Sequence, residues 1–121
     1  MKLTNNEIYS YAIALNEAFT DNTQRLPMKV NFYLQKNKKI LTELGQDLEE
    51  SRKDIIKAYG KTEDSIHYEI PTENVEIAQK ELEDLLALEQ EVEIYMIKVD
   101  NLPDDISLTT AQMEAMLFMI D

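Results

Sequence analysis

From Val30 to Ala58 one helical stripe runs unbroken: Val30, Leu34, Asn37, Leu41, Leu44, Leu48, Ser51, Ile55 and Ala58 follow one another at alternating spacings of four and three. Such spacing keeps side chains on one side of an α-helix, whose period is 3.6 residues. Tyr33 and Ile40 widen the stripe, and Gly60, just past Tyr59, reads as a left-handed cap that ends it. A helix over about 24–59 is ~54 Å long, more than a compact globule of this size needs. Other parts of the chain must therefore lie along it. Asn37 and Ser51 on the seam, with Gly45 beside it, argue against an indefinitely long homodimeric coiled coil, because polar and small residues interrupt knobs-into-holes packing.

Two segments can supply the cover. Thr4 followed three residues later by Glu7 has capping-box spacing, and Ile8, Tyr11, Ala12, Leu15 and Phe19 continue at three and four, predicting a helix over 5–19. Thr20, Asp21, Asn22 and Thr23 then form a tight turn, with Pro27 in the first turn of the long helix that starts near 23–27. The first helix should lie antiparallel along the first half of the long one. Beyond Gly60, Pro71–Thr72–Glu73 announces a helix over 73–90, with Val75, Ala78, Leu82 and Leu85 on one face and Ile77, Leu86 and Leu88 beside them, which should return along the second half.

Two stretches read as β-structure. Ile66–Ile70 alternates apolar and polar, and Glu91–Val99 is β-branched and aromatic with partial period two; the two are expected to pair as a ribbon. Asn101–Asp105 is a turn, and Thr109 or Thr110 caps a last helix containing Ala111, Met113, Met116, Leu117, Phe118, Met119 and Ile120. The expected fold is one domain over 1–121, mainly α with a small β-ribbon (α+β): an elongated antiparallel helical bundle around one long central helix, with two short strands and a C-terminal Met-rich helix.

The residue inventory excludes much chemistry. With no Cys, the 121-residue chain has no disulfide, thiolate nucleophile or Cys-based metal site, and with two glycines it has no phosphate-binding loop. No apolar run is long enough to cross a bilayer and no signal-peptide core follows Met1, which leads to an expected location in a cell's cytoplasm. His67 is the only histidine, and its surroundings read as solvent-facing strand and not as a catalytic site. Glu89, Glu91 and Glu93, with Asp104 and Asp105, could hold a hard cation only if backbone carbonyls completed the shell, and they read better as surface solvation. No enzyme activity, cofactor or metal is expected.

The formal net charge of −12 argues against nucleic acid and anionic membrane as ligands. That charge is unevenly placed: residues 1–61 carry ten basic and eight acidic side chains, whereas residues 62–121 carry sixteen acids against Lys80 and Lys98. The acids read as a solvated face, with a steering patch for a basic partner as the sharper alternative. Arg25, Lys29, Lys36, Lys38 and Lys39 form the one basic cluster, with Tyr33 among them, and read as a solvated helix face. Met113, Met116 and Met119 are core filler on one reading and an adaptable contact surface on the other; a small elongated domain has little interior in which to hide that whole helix.

The order Tyr68–Pro71, Glu81–Leu82, Glu91–Ile94, Leu102–Pro103, and the ending Leu108–Thr109 through Ala111–Gln112–Met113 to Met119–Ile120, resembles a family of small tailed-phage and prophage proteins of Gram-positive bacteria with low-GC genomes. The likeness covers about residues 26–121 and carries no catalytic motif. It implies a phage origin and a non-enzymatic role near tail or lysis functions. The resulting expectation is an oligomeric interaction or accessory protein, with a role in virion assembly, whose contacts with itself or a protein partner are made by Ile94, Tyr95, Met113, Met116 and Met119. The alternative is an acidic inhibitor that imitates nucleic acid toward a host defence nuclease through Glu81, Glu83, Asp84, Glu89, Glu91 and Glu93.

Overall fold

The computed structural model describes residues 1–20, 26–62, 64, 66–104 and 106–121; Asp21, Asn22 and Thr23 of the expected turn, Arg25 of the basic cluster, and Asp105 lie outside them. In chain order the elements are β1 (Lys2–Thr4), α1 (Asn5–Ala18), α2 (Met28–Tyr59), α3 (Thr72–Ala87), β2 (Glu89–Glu91) and α4 (Thr110–Met116), with short 3-10 turns at Val99–Asn101 and Leu117–Met119. The fold is mainly α with a small antiparallel two-stranded sheet.

Local chemistry accounts for the helix ends. Thr4 caps α1 reciprocally: its Oγ1 accepts from Glu7 N at 3.1 Å and the Glu7 carboxylate accepts from Thr4 N at 3.0 Å. Thr109 and Gln112 make the same pair of bonds at the start of α4. The long helix starts at Met28, with Pro27 in the cap position, and stops before Gly60. Gly60 is not left-handed as expected. Its backbone is extended, with φ −92° and ψ 162°, and glycine is suited to the position by space: a Cβ there would lie 2.6 Å from the Ile56 carbonyl oxygen and 3.3 Å from Tyr68 Cβ.

Around the long helix the packing departs from expectation in one respect. Lys38 Nζ donates to the Phe19 carbonyl at 3.4 Å and Asn16 Nδ2 to Thr42 Oγ1 at 3.0 Å, so α1 is antiparallel to α2 but lies against its middle. The first turns of α2 are covered instead by the chain after β2. Asn37, fully buried, holds the Tyr95 peptide from both sides: Nδ2 donates to Tyr95 O at 2.9 Å and Oδ1 accepts from Tyr95 N at 2.7 Å. At the far end, α3 runs back along α2, with Asn74 Nδ2 donating to Tyr59 O at 3.1 Å.

The core joins Ile8 and Leu15 of α1, Val30, Leu34, Leu41 and Leu48 of α2, and Val92, Ile97, Met116 and Met119 from the last third. It thins beyond Leu48. Ser51 and Ala58, expected on the buried seam, are exposed, and α3 fully buries only Ala78. A pair of helices has less apolar surface to enclose than three or four, so the distal hairpin is the weakly packed end.

The expected ribbon is replaced by other pairings. Lys2–Thr4 pairs antiparallel with Glu89–Glu91, with Leu3 opposite Gln90. That takes Glu89 and Gln90 out of the predicted third helix, which ends at Ala87, while Glu91 falls in a strand as expected. Ile66–Ile70 does not meet Glu91–Val99: Glu69 bridges Lys61 across the turn, and Ile97 pairs in parallel with Ile120 near the end of the chain. Edge backbone groups need partners wherever they are found, and the nearest edges here belong to segments with no strand signal of their own. None of the helices in the described residues is long and apolar enough to cross a membrane.

Candidate interaction surface

The five expected contact residues separate into two groups. Met116 and Met119 are 0% exposed, enclosed in this chain's own core, and are therefore not contact residues on its surface. The physical reason is α4's docking on α1: Gln112 Nε2 donates to the Ala18 carbonyl at 3.0 Å, and Phe118 stacks on Tyr11 with ring centroids 4.3 Å apart. Together these turn two of the three methionines inward. Met113 remains partly exposed, and Leu117, next to it on the outer side, is 61% exposed. Ile94 is half-buried against the core, and Tyr95 is half-buried with its ring 5.5 Å from that of Tyr33.

Sequence reasoning passed over what lies beside Tyr95. On α2, Tyr33 is 6.1 Å from Phe32, so three rings from two segments form a row. Lys29 Nζ lies 5.7 Å from the Tyr33 ring centre and Lys36 Nζ 5.4 Å from that of Phe32. An ammonium over an aromatic face is held electrostatically yet keeps N–H donors for another acceptor. Phe32 is 53% and Met28 89% exposed, so this part of the basic cluster is an apolar surface carrying charge, more than a solvated helix face. The signal that could have found it is the i, i+3, i+4 and i+7 relation of Lys29, Phe32, Tyr33 and Lys36.

The acids proposed to imitate nucleic acid do not form an uninterrupted row. Glu89 is 3.3 Å from Lys2 Nζ, Glu91 is 3.3 Å from the Met1 amino group, and Glu81 accepts a hydrogen bond from the Tyr59 hydroxyl. That hydrogen bond, which favours the protonated phenol, is the first cause of the raised Tyr59 pKa.

His67 is exposed, with Nδ1 2.9 Å from Asp64 Oδ2. The His67 side chain, followed by the N–H groups of His67 and Ile66, holds the Asp64 carboxyl well below the ordinary carboxylate range. These bonds make a turn stabilised by an aspartate, and both side chains line an open concavity of about 770 Å³ together with Lys61, Thr62, Glu69 and Thr72. Among the described residues no group of three or more His, Asp or Glu side chains is placed to hold a metal ion.

A shallow groove of about 410 Å³ lies between α1 and α2, bounded by Tyr9, Ile13, Gly45 and Glu49. Tyr9 has a buried hydroxyl without a hydrogen-bond partner among the described residues, and its pKa is raised by burial and then by Glu49. Compared with known proteins, the chain matches no family model, and neither a curated protein nor a solved structure matches it.

Proposed function

We propose that this chain is a non-enzymatic interaction protein of phage origin, self-associating or docking on a protein partner as an accessory factor in virion assembly. One observation carries the interaction reading. Large apolar side chains, Met28, Phe32 and Leu117 among them, remain outside a core that is already closed around Met116 and Met119. Isolated exposed apolar residues are ordinary, whereas aromatic rings and methionines grouped together are what contact surfaces are enriched in, with polar side chains such as the flanking lysines confined to the rim. The phage assignment rests on the resemblance of residues 26–121 alone. The nucleic-acid-mimic reading has less support, since four of its six acids, Glu81, Glu83, Glu89 and Glu91, are engaged within the chain.

The test is the mass of the full chain in solution by light scattering, joined to recovery of bound proteins from phage-infected cells that express it. An oligomer, or a stoichiometric phage protein held in the complex, is the expected result. A strict monomer that retains nothing overturns the reading.

A further inference from the structure

We propose that the Lys29–Phe32–Lys36 face of α2 is a docking site for the acidic helix α3 of a second copy of this chain, so that copies join head to tail. This deepens the self-association reading above and rests on it.

The two surfaces complement each other in charge and in apolar character. Residues 28–42 contain four lysines, Lys29, Lys36, Lys38 and Lys39, and no acid. Two of the four are held over rings, beside the exposed Phe32 and Met28. The sequence of α3 reverses this pattern, with Glu73, Glu76, Glu81, Glu83 and Asp84 against Lys80 alone. It also leaves Ile77 52% exposed, with Val75 nearly as open. Carboxylates reaching the lysines would bring Ile77 toward Phe32, combining electrostatic register with apolar burial.

A chain cannot make this contact with itself. Its own α3 is fixed at the far end of α2 by the bonds of Asn74 and Glu81 to Tyr59. Tyr59 and Phe32 are separated by 27 positions of continuous helix, about 40 Å at 1.5 Å per residue. Only another copy's α3 can reach the basic face. Because different surfaces meet, the contact is heterologous and builds rings or open chains, not two-fold dimers.

A polyanionic nucleic acid fits the same lysines less well. Sixteen acids in residues 62–121 repel it, and Tyr33 is already occupied by Tyr95, which leaves Phe32 as the one open ring in the row.

The experiment is sedimentation velocity on the full chain with two double variants, Phe32→Ser with Lys36→Gln and Glu76→Gln with Ile77→Ser. All four positions are exposed, and unchanged circular dichroism and thermal midpoint verify folding. Each variant alone should associate at least tenfold more weakly than wild type. An equimolar mixture should regain a 1:1 heterodimer and nothing longer, because each partner keeps one intact surface. Wild-type assembly should weaken as salt rises from about 0.05 to about 0.5 M.

An oligomer unaffected by either variant, or variants that fail to complement, overturns head-to-tail docking and leaves self-association standing. A wild-type chain that stays monomeric overturns both. Tight binding of a single-stranded oligonucleotide that is lost with Phe32→Ser and Lys36→Gln overturns the assignment in favour of nucleic acid.

Discussion

Among the described residues three polar side chains are buried, Asn5, Asn37 and Gln112, and each joins segments distant in sequence. Asn5 Nδ2 donates to the Leu85 carbonyl at 2.7 Å while the Asn5 N–H donates to Leu88 O at 2.8 Å, satisfying the carbonyl end of α3. Gln112 does the same for Ala18 at the end of α1, and Asn37 holds the Tyr95 peptide. Buried backbone groups must find partners, and these side chains supply them where no strand or helix can. Replacing Asn37 with Ala strands the N–H and C=O of Tyr95, and a cost of about 2–3 kcal/mol is expected in a urea melt. The opposite sign is expected at Gly45. A Cβ there meets nothing within 4 Å, so Gly45→Ala should raise stability by about 0.5–1 kcal/mol through helix propensity. At Asp64 the folded pKa is lowered. Its stabilising contribution is therefore present above the ordinary value of 3.8 and is lost as pH falls through the lower folded one. Carbon-13 titration of the Asp64 carboxyl should show this, and the Asp64→Asn chain should lose that acid dependence.

The elements differ in how firmly they are held. Between Val30 and Leu48 the long helix is covered by α1 and by the chain from Val92 onward. Beyond Leu48 it faces α3 and the start of α1, and few side chains there are fully buried. Local opening free energy follows buried apolar contact. Backbone amides in 52–59 and 75–82 should exchange with deuterium faster than those in 34–48, as measured by native-state exchange; equal protection along α2 would contradict the graded packing. The helices themselves were legible in sequence because spacing and caps act over a few residues: Thr4 with Glu7 marked the start of α1, and Thr109, one of the two threonines expected to cap the last helix, is the cap of α4. The strands were not. Leu3 lies opposite Gln90 and Ile97 opposite Ile120, partners that no local pattern identifies.

For the whole molecule, the last third closes the core and so decides which apolar residues remain for contact. Met116→Ala should cost about 2–5 kcal/mol and lower the unfolding midpoint sharply, as a cavity in a shared core does. Leu117→Ser, one residue further on, should leave the midpoint nearly unchanged and act, if anywhere, on association. Differential scanning calorimetry with light scattering separates these effects. The charge asymmetry belongs to this scale too. The acids of α3 lie along the far half of α2 and the lysines of residues 28–42 at its other end, a separation in space set by the length of that helix.

By itself the sequence determined the helices, the threonine caps of α1 and α4 and the split in charge, because each depends on residues within a turn or two of one another or on simple counting. Tertiary structure alone decided the strand partners, the inward turn of Met116 and Met119, and the exposure of the row formed by Phe32, Tyr33 and Tyr95. A helical methionine can face core or solvent with the same local pattern. Which it faces is settled by the packing of α4 on α1, through contacts such as Gln112 with Ala18 that span most of the chain.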